Sequence, residues 1–137
     1  MPTRHEIREA AFILSFEKLF REEDTLEEIF DIAQSVEEFP VNKQVKALVE
    51  NVFEKAEELD RIISKYSEKR NVERIPKLNL AILRIAIYEA LYDDKVPVNA
   101  AISEAVLIAK AYAFDSDVSF INGVLGAFSR DIAKQDA

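Results

Sequence analysis

Two clusters of side chains in this 137-residue chain have types and spacing that could do chemistry, and both suit an anion. Arg4, His5 and Arg8 fall within the first two turns of an expected helix. Arg4 and Arg8 are one turn apart and share a side, and cations there oppose the helix macrodipole, so an external anion would compensate them. Chance placement explains that cluster as readily, and His5 by itself reads as a surface residue. The second cluster is Tyr66 among Lys65, Lys69 and Arg70, with Arg74 close behind. A ring among cations is what single-stranded RNA recognition uses: a base stacks on the ring while phosphates meet Lys or Arg. Tyr66 also reads simply as the last residue of an apolar helix face. Arg84 is the one charge inside a strongly apolar run, where it needs a partner or a functional reason. Bond-breaking chemistry finds little support. One His and no Cys exclude a two-histidine zinc site and a thiol nucleophile, and no Gly-rich phosphate loop is present. No catalytic residue, metal or cofactor is expected.

The distribution of charge says more than its total. A net charge of −8 argues against indiscriminate nucleic-acid binding. Residues 22–41 hold eight acidic groups and no basic one, whereas residues 61–84 hold seven basic groups (Arg61, Lys65, Lys69, Arg70, Arg74, Lys77, Arg84) against Glu68 and Glu73. A local surplus of that size attracts phosphates within a Debye length of about 8 Å. A solvated helix face would show the same pattern. The absence of cysteine removes disulfides, the charged N-terminal turns do not read as a signal peptide, and the apolar runs are too short to span a membrane. A cytoplasmic protein is the expectation.

The elements that must position these residues read as helices throughout. Hydrophobic residues at 49% with only two glycines and four prolines argue for a globular, turn-poor domain. Residues 4–21 predict a first helix, with Ile7, Ala11, Leu14 and the Phe12–Phe16–Phe20 row as its buried faces. Thr25 and Glu28 form a capping box that opens a helix through Val36, closed by Phe39-Pro40. Asn42 caps a helical stretch running to about Tyr66, with a break expected near Lys55–Glu58. Residues 67–77 form the one sizeable connection, and Pro76 permits the start of a central helix, Leu78–Tyr92, that is apolar almost all round. Asn99 is the expected cap of a helix from Ala100 to about Tyr112, lined by Ile102, Ala105, Val106 and Ala109. Asp115-Ser116-Asp117 caps a last helix that frays after Ile132. Asn122-Gly123 looks like a hairpin turn, but Ile121, Leu125, Phe128 and Ile132 keep helical spacing through it. Gly123 inside a helix costs about 1 kcal/mol, and close approach of the central helix is the expected compensation. The architecture expected is an all-α compact bundle of six to seven helices, one domain over residues 1–137.

At ILRIAIYEAL (Ile82–Leu91), AISEAVLIAK (Ala101–Lys110) and SFINGVL (Ser119–Leu125) the chain resembles the NusB family of transcription antitermination factors. The Arg4, Arg8-Glu9-Ala10 and Phe16 pattern of the first helix matches as well. The resemblance implies an RNA face made of Arg4, His5, Arg8, Tyr66, Lys69, Arg70 and Arg74, with Arg84 matching the family's motif arginine, for which a buried pair with Glu89 or Glu104 is an equal alternative to RNA contact. It implies a partner-binding surface around Phe16 and Asn79. Its ligands would be boxA-type single-stranded RNA and a small-subunit ribosomal protein, called NusE in this setting. Other Nus factors and RNA polymerase would complete the complex, with ribosomal RNA operons as its main target. A homodimer that hides the RNA surface is also compatible with the resemblance. The chain departs from the family's usual pattern in its sparse N-terminal arginines and in Ser103, Ser119 and Gly126, where Asn, Lys and Asp are common. Engaging one phosphate fewer lowers the salt dependence of single-strand binding by about 0.7 in log–log slope. Two other readings stand beside this one: a helical protein-interaction module with no RNA role and, again implied by resemblance, the NusB-like RNA-binding domain of an RNA methyltransferase system.

Overall fold

A computed structural model describes residues 2–36, 40–68 and 70–136, with residues 135 and 136 described by backbone alone. Lys69 and the Phe39 stop signal lie outside these residues. The described residues form seven α-helices, one short 3-10 turn and no strand, in agreement with the all-α expectation. They fall into two compact units, Met1–Glu54 and Lys55–Ala137.

The first unit holds α1 (Arg4–Phe20), α2 (Leu26–Val36) and α3 (Lys43–Glu54), with α1 packed on both of the others. Each start has a side-chain cap that meets otherwise unpaired backbone donors. Thr3 and Glu6 make a reciprocal capping box on α1, at 2.9 and 3.1 Å. Thr25 and Glu28 repeat the arrangement on α2. The Asn42 side chain accepts from Val45 N–H at 2.9 Å at the head of α3. The turn between α1 and α2 is held by Lys18, whose Nζ donates to the carbonyls of Glu22 and Asp24. Ala10, Ala11, Phe12 and Leu14 are buried on α1, Ile29, Phe30 and Ala33 on α2, and Val45, Val49 and Val52 on α3.

Lys55 interrupts the helical stretch at φ −95°, ψ 9°, inside the window where a break is expected. The second unit then holds α4 (Ala56–Tyr66), the 3-10 turn (Val72–Arg74), α5 (Lys77–Tyr92), α6 (Val98–Tyr112) and α7 (Asp115–Asp136). α5 packs on α4, α6 and α7 at once. Every residue from Asn79 to Ile87 is buried, as the all-round apolar pattern requires. Ala81 and Ala86 on α5, with Ala101, Ala105 and Ala109 on α6, are all buried, so small side chains line the elements that pack closely.

Four local expectations need correction. α6 begins at Val98 with Pro97 in the cap position (φ −60°, ψ 146°), so Asn99 lies inside the first turn. A residue with fixed φ and no N–H loses nothing at a helix start, and it displaced the side-chain cap. The face of α6 is shifted too: Ala101, Ala105, Ile108 and Ala109 are buried, while Ile102 and Val106 are half-buried. Phe114 takes the cap position of α7, its carbonyl accepting from Asp117 and Val118. Asp115 and Asp117 therefore occupy the first turn, and the helix runs on to Asp136. Gly123 is helical as expected, but a Cβ built there meets nothing within 4 Å, so no close approach compensates it. The stripe that does pack is Ile121, Val124, Leu125 and Phe128.

Candidate nucleic-acid interface

In the first unit, α1 separates the two arginines that share its side. Arg4 is exposed, His5 is half-buried, and Arg8 keeps only 8% of its surface. The macrodipole at this end is met from within the chain. Glu6 sits in the first turn, and the Thr3 backbone N–H and hydroxyl beside it hold its carboxyl below the usual carboxylate range. The helix start therefore has its own compensating anion, and the case for an external one rests on exposed Arg4 alone. Phe16, expected on the partner side, is half-buried in an aromatic row. It stacks on Phe12 at 6.1 Å between ring centroids and meets Phe20 edge-on at 4.9 Å. Phe12 is buried and Phe20 is 62% exposed, so the row leads from the core to solvent.

In the second unit, the basic connection lies along α7. Tyr66 ends α4 half-buried, its ring edge-on to Phe128 at 6.0 Å and its hydroxyl donating to Asp131 Oδ2 at 2.8 Å. Burial, reinforced by the Asp131 carboxylate, pushes the Tyr66 hydroxyl above the ordinary tyrosine range. Lys65 Nζ stands 5.2 Å from the same ring centroid. Arg70 is exposed, and its guanidinium lies over the Phe120 ring at 5.0 Å. Its backbone is fixed by Ser64 Oγ, which donates to Arg70 O, and by Arg70 N–H, which donates to Ser67 O. Phe120 and Phe128 are two turns apart, roughly 12 Å along the helix. Glu68, between Tyr66 and Arg70 in sequence, adopts a left-handed conformation, φ 58°, which turns the chain at the end of α4. Arg74 is exposed at the end of the 3-10 turn. Within this unit the structure brings Tyr66 and Arg70 onto one helix, α7, and gives each an aromatic neighbour.

Arg84 and Asn79 are occupied inside the fold. Arg84 grips Asp60 on α4 with both ends of its fork, at 2.8 and 2.7 Å, and the two side chains are 10% and 21% exposed. The geometry that would clasp a phosphate is thus turned on a carboxylate. Asn79 is 1% exposed, and its Nδ2 donates to Asp117 Oδ1 at 3.0 Å, tying α5 to the first turn of α7. Sequence reasoning singled out Arg84, Asn79, Tyr66 and Arg70 but missed Asp60, Asp117, Asp131, Phe120 and Phe128 as the side chains they meet. Phe128 sat in the apolar stripe and read as core, Asp117 read as part of a helix cap, and Asp60 and Asp131 read as solvated faces. Among the described residues no group of His, Cys, Asp or Glu is arranged to hold a metal, and no helix is long and apolar enough to cross a membrane.

The NusB family model matches residues 5–130. The transcription antitermination protein NusB of Lachnoclostridium phytofermentans is 39% identical over 128 residues, covering 90% of this chain and 96% of that protein. NusB of T. maritima has a similar structure, with a TM-score of 0.80 and 29% identity over 95% of this chain and 93% of the other. A crystal structure of the antitermination factors NusB and NusE in complex with dsRNA matches with a TM-score of 0.81 over 93% of this chain and 96% of the other. At 23% identity it speaks to the fold alone.

Proposed function

The chain belongs to the NusB family, and on that premise we propose that it is a transcription antitermination factor that binds RNA together with the ribosomal protein NusE. The observation that carries the reading is the match, across 90% of the chain, to a relative named for antitermination. One family model runs through both compact units, which supports treating residues 1–137 as a single non-enzymatic adaptor domain. The NusB of the dsRNA complex is seated with NusE and RNA, the pair of ligands assigned here.

The RNA target in this reading is a boxA-type single strand in a nascent transcript, notably that of ribosomal RNA operons, engaged in the cytoplasm. Other Nus factors and RNA polymerase complete the complex, and a homodimer that hides the RNA face is its unliganded alternative. Arg4, Arg70 and Arg74 are the exposed cations that meet phosphates, with His5 and Lys69 beside them in sequence. Tyr66 supplies a ring edge in the same segment. Arg8 and Arg84 act chiefly by shaping the surface, because both are largely buried. Phe16 and the start of α5 around Asn79 are the residues assigned to partner contacts.

Fluorescence anisotropy with a labelled boxA-type single strand, a scrambled strand and a duplex tests this, with and without purified NusE. The expected result is weak binding by the acidic chain alone and tighter, boxA-selective binding once NusE is added. Equal affinity for boxA and scrambled strands in the presence of NusE would overturn the assignment of the RNA. Failure to bind NusE at all would overturn the adaptor reading.

A further inference from the structure

We propose that the outer face of α7 from Phe120 to Lys134 is a second RNA-binding stretch, taking nucleotides that flank the element recognised elsewhere on the chain; this rests on the RNA-binding reading above. Phe120, Gly123, Ala127, Arg130 and Lys134 recur at alternating intervals of three and four residues, so they share one side of the helix. The buried stripe of Ile121, Val124, Leu125 and Phe128 lies on another side. Arg130 and Lys134 are exposed, and Arg70 adds a third cation over the Phe120 ring at 5.0 Å. Lys65, whose Nζ stands over the Tyr66 ring, flanks the same helix, because Tyr66 is tied to Asp131 at 2.8 Å. Carboxylates are missing where they would repel a phosphate. The chain has 26 acidic residues, yet none falls between Val118 and Arg130. Asp131, the next one, already accepts the Tyr66 hydroxyl.

Between its cations this face is bare. A Cβ built at Gly123 meets nothing within 4 Å, and one built at Gly126 meets only Arg130 Nη1, at 3.5 Å. The Arg130 guanidinium therefore lies back over the preceding turn, as helical side chains do, at the edge of the bare patch. From Phe120 to Arg130 the helix rises roughly 15 Å, room for a few nucleotides of a single strand. Such a strand needs cations along its backbone and open surface beneath it, and this face offers both. A guanidinium over a ring is also a platform on which a base can stack. An apolar protein partner finds little to bury on Gly123, Gly126 and Ala127, so RNA is the better occupant. The cations come from α4, the connection after it and two separated turns of α7, which gives an acidic chain a local positive surface without a basic run on that helix.

The test measures fluorescence anisotropy of labelled single strands on the full-length chain together with NusE. One strand carries the boxA-type element alone, and two others extend it by a run of uridines at one end or the other. One of the extensions is expected to tighten binding several-fold and to steepen the log–log salt slope by about 0.7 for each phosphate gained. Arg130→Ala/Lys134→Ala should lose that gain and still bind the short strand. Gly123→Glu, which sets a carboxylate in open space away from the core, should lose the gain as well. Circular dichroism checks that both variants are folded. If neither extension alters affinity or slope in wild type, or if either folded variant keeps the full gain, the α7 face carries no RNA and only this inference falls. If the wild-type complex does not bind the short strand, the RNA reading falls with it.

Discussion

At the scale of single residues, the ion pair of Arg84 and Asp60 is the most consequential contact that the apolar pattern of α5 concealed. Two charges held in a bidentate grip and largely removed from water depend on each other. Removing one partner takes away the other's bidentate counter-charge. Arg84→Met or Asp60→Asn should each cost about 3 kcal/mol, read from urea denaturation midpoints at constant slope. The double variant Arg84→Met/Asp60→Leu should recover much of that loss, because neither half of this pair then faces the other's empty place. Equal losses in the single and double variants would show that packing rather than charge dominates. Tyr66 gives a second residue-scale test, through pH. Its hydroxyl is harder to ionise in the folded chain than in the unfolded one, whose value is about 10. The stabilisation it brings is therefore complete below about pH 10 and is lost as pH rises from there through the folded value. Tyr66→Phe should cost about 1 kcal/mol at neutral pH by removing the hydrogen bond to Asp131. It should also flatten the alkaline fall in stability, which a pH series of melting curves would reveal.

At the scale of elements, the helices are where sequence and structure agree best, and their ends are where predictions can be sharpest. Thr3→Ala removes the cap of α1 and should cost about 1 kcal/mol. The partner in that box, Glu6, has its carboxyl held below the usual range. Its contribution is present above the unfolded value and is lost as pH falls through the folded one. The difference between wild type and Thr3→Ala should accordingly shrink in acid below about pH 4, and a constant difference would contradict the box. Gly123→Ala tests the opposite kind of position. With open space around the added methyl group, helix propensity alone acts, and the variant should gain about 1 kcal/mol. A loss of stability on calorimetry would instead restore the idea of a close approach. These cases also show what a sequence can hold. Helix spans, the break at Lys55 and the capping roles of Thr25 and Asn42 were legible because spacing and caps are local rules. The cations of the candidate site were legible by type. Their fates were not, because Arg8 and Arg4 differ only in what covers them and Arg84 differs from Arg74 only in where Asp60 lies. Gly123 and Asn99 misled for the same reason: a local preference was read without the neighbours that decide whether it is used.

At the scale of the whole molecule, the divided charge map governs how binding responds to salt. The chain is acidic overall, yet Arg4, Arg70 and Arg74 are exposed cations. Replacing Arg70 and Arg74 by Ala should weaken RNA binding by the NusE complex and lower its log–log salt slope by about 0.7 for each phosphate no longer engaged. Preference for boxA over a scrambled strand should hardly change, since phosphate contacts carry no direct sequence information. An unchanged slope would remove the connection from the RNA face. One feature of the second unit also sets a timescale. α5 packs on α4, α6 and α7 and is buried without interruption from Asn79 to Ile87, so the backbone amides of that stretch meet solvent only when those three helices part. Local fraying releases the amide protons of the Asp93–Val96 turn within the life of the folded state, but it cannot release those of Ile82 to Ile87. In deuterated water these central amides should be the last in the unit to exchange. Their rate then reports how often the unit opens altogether, and a ligand that binds only the closed form must slow it.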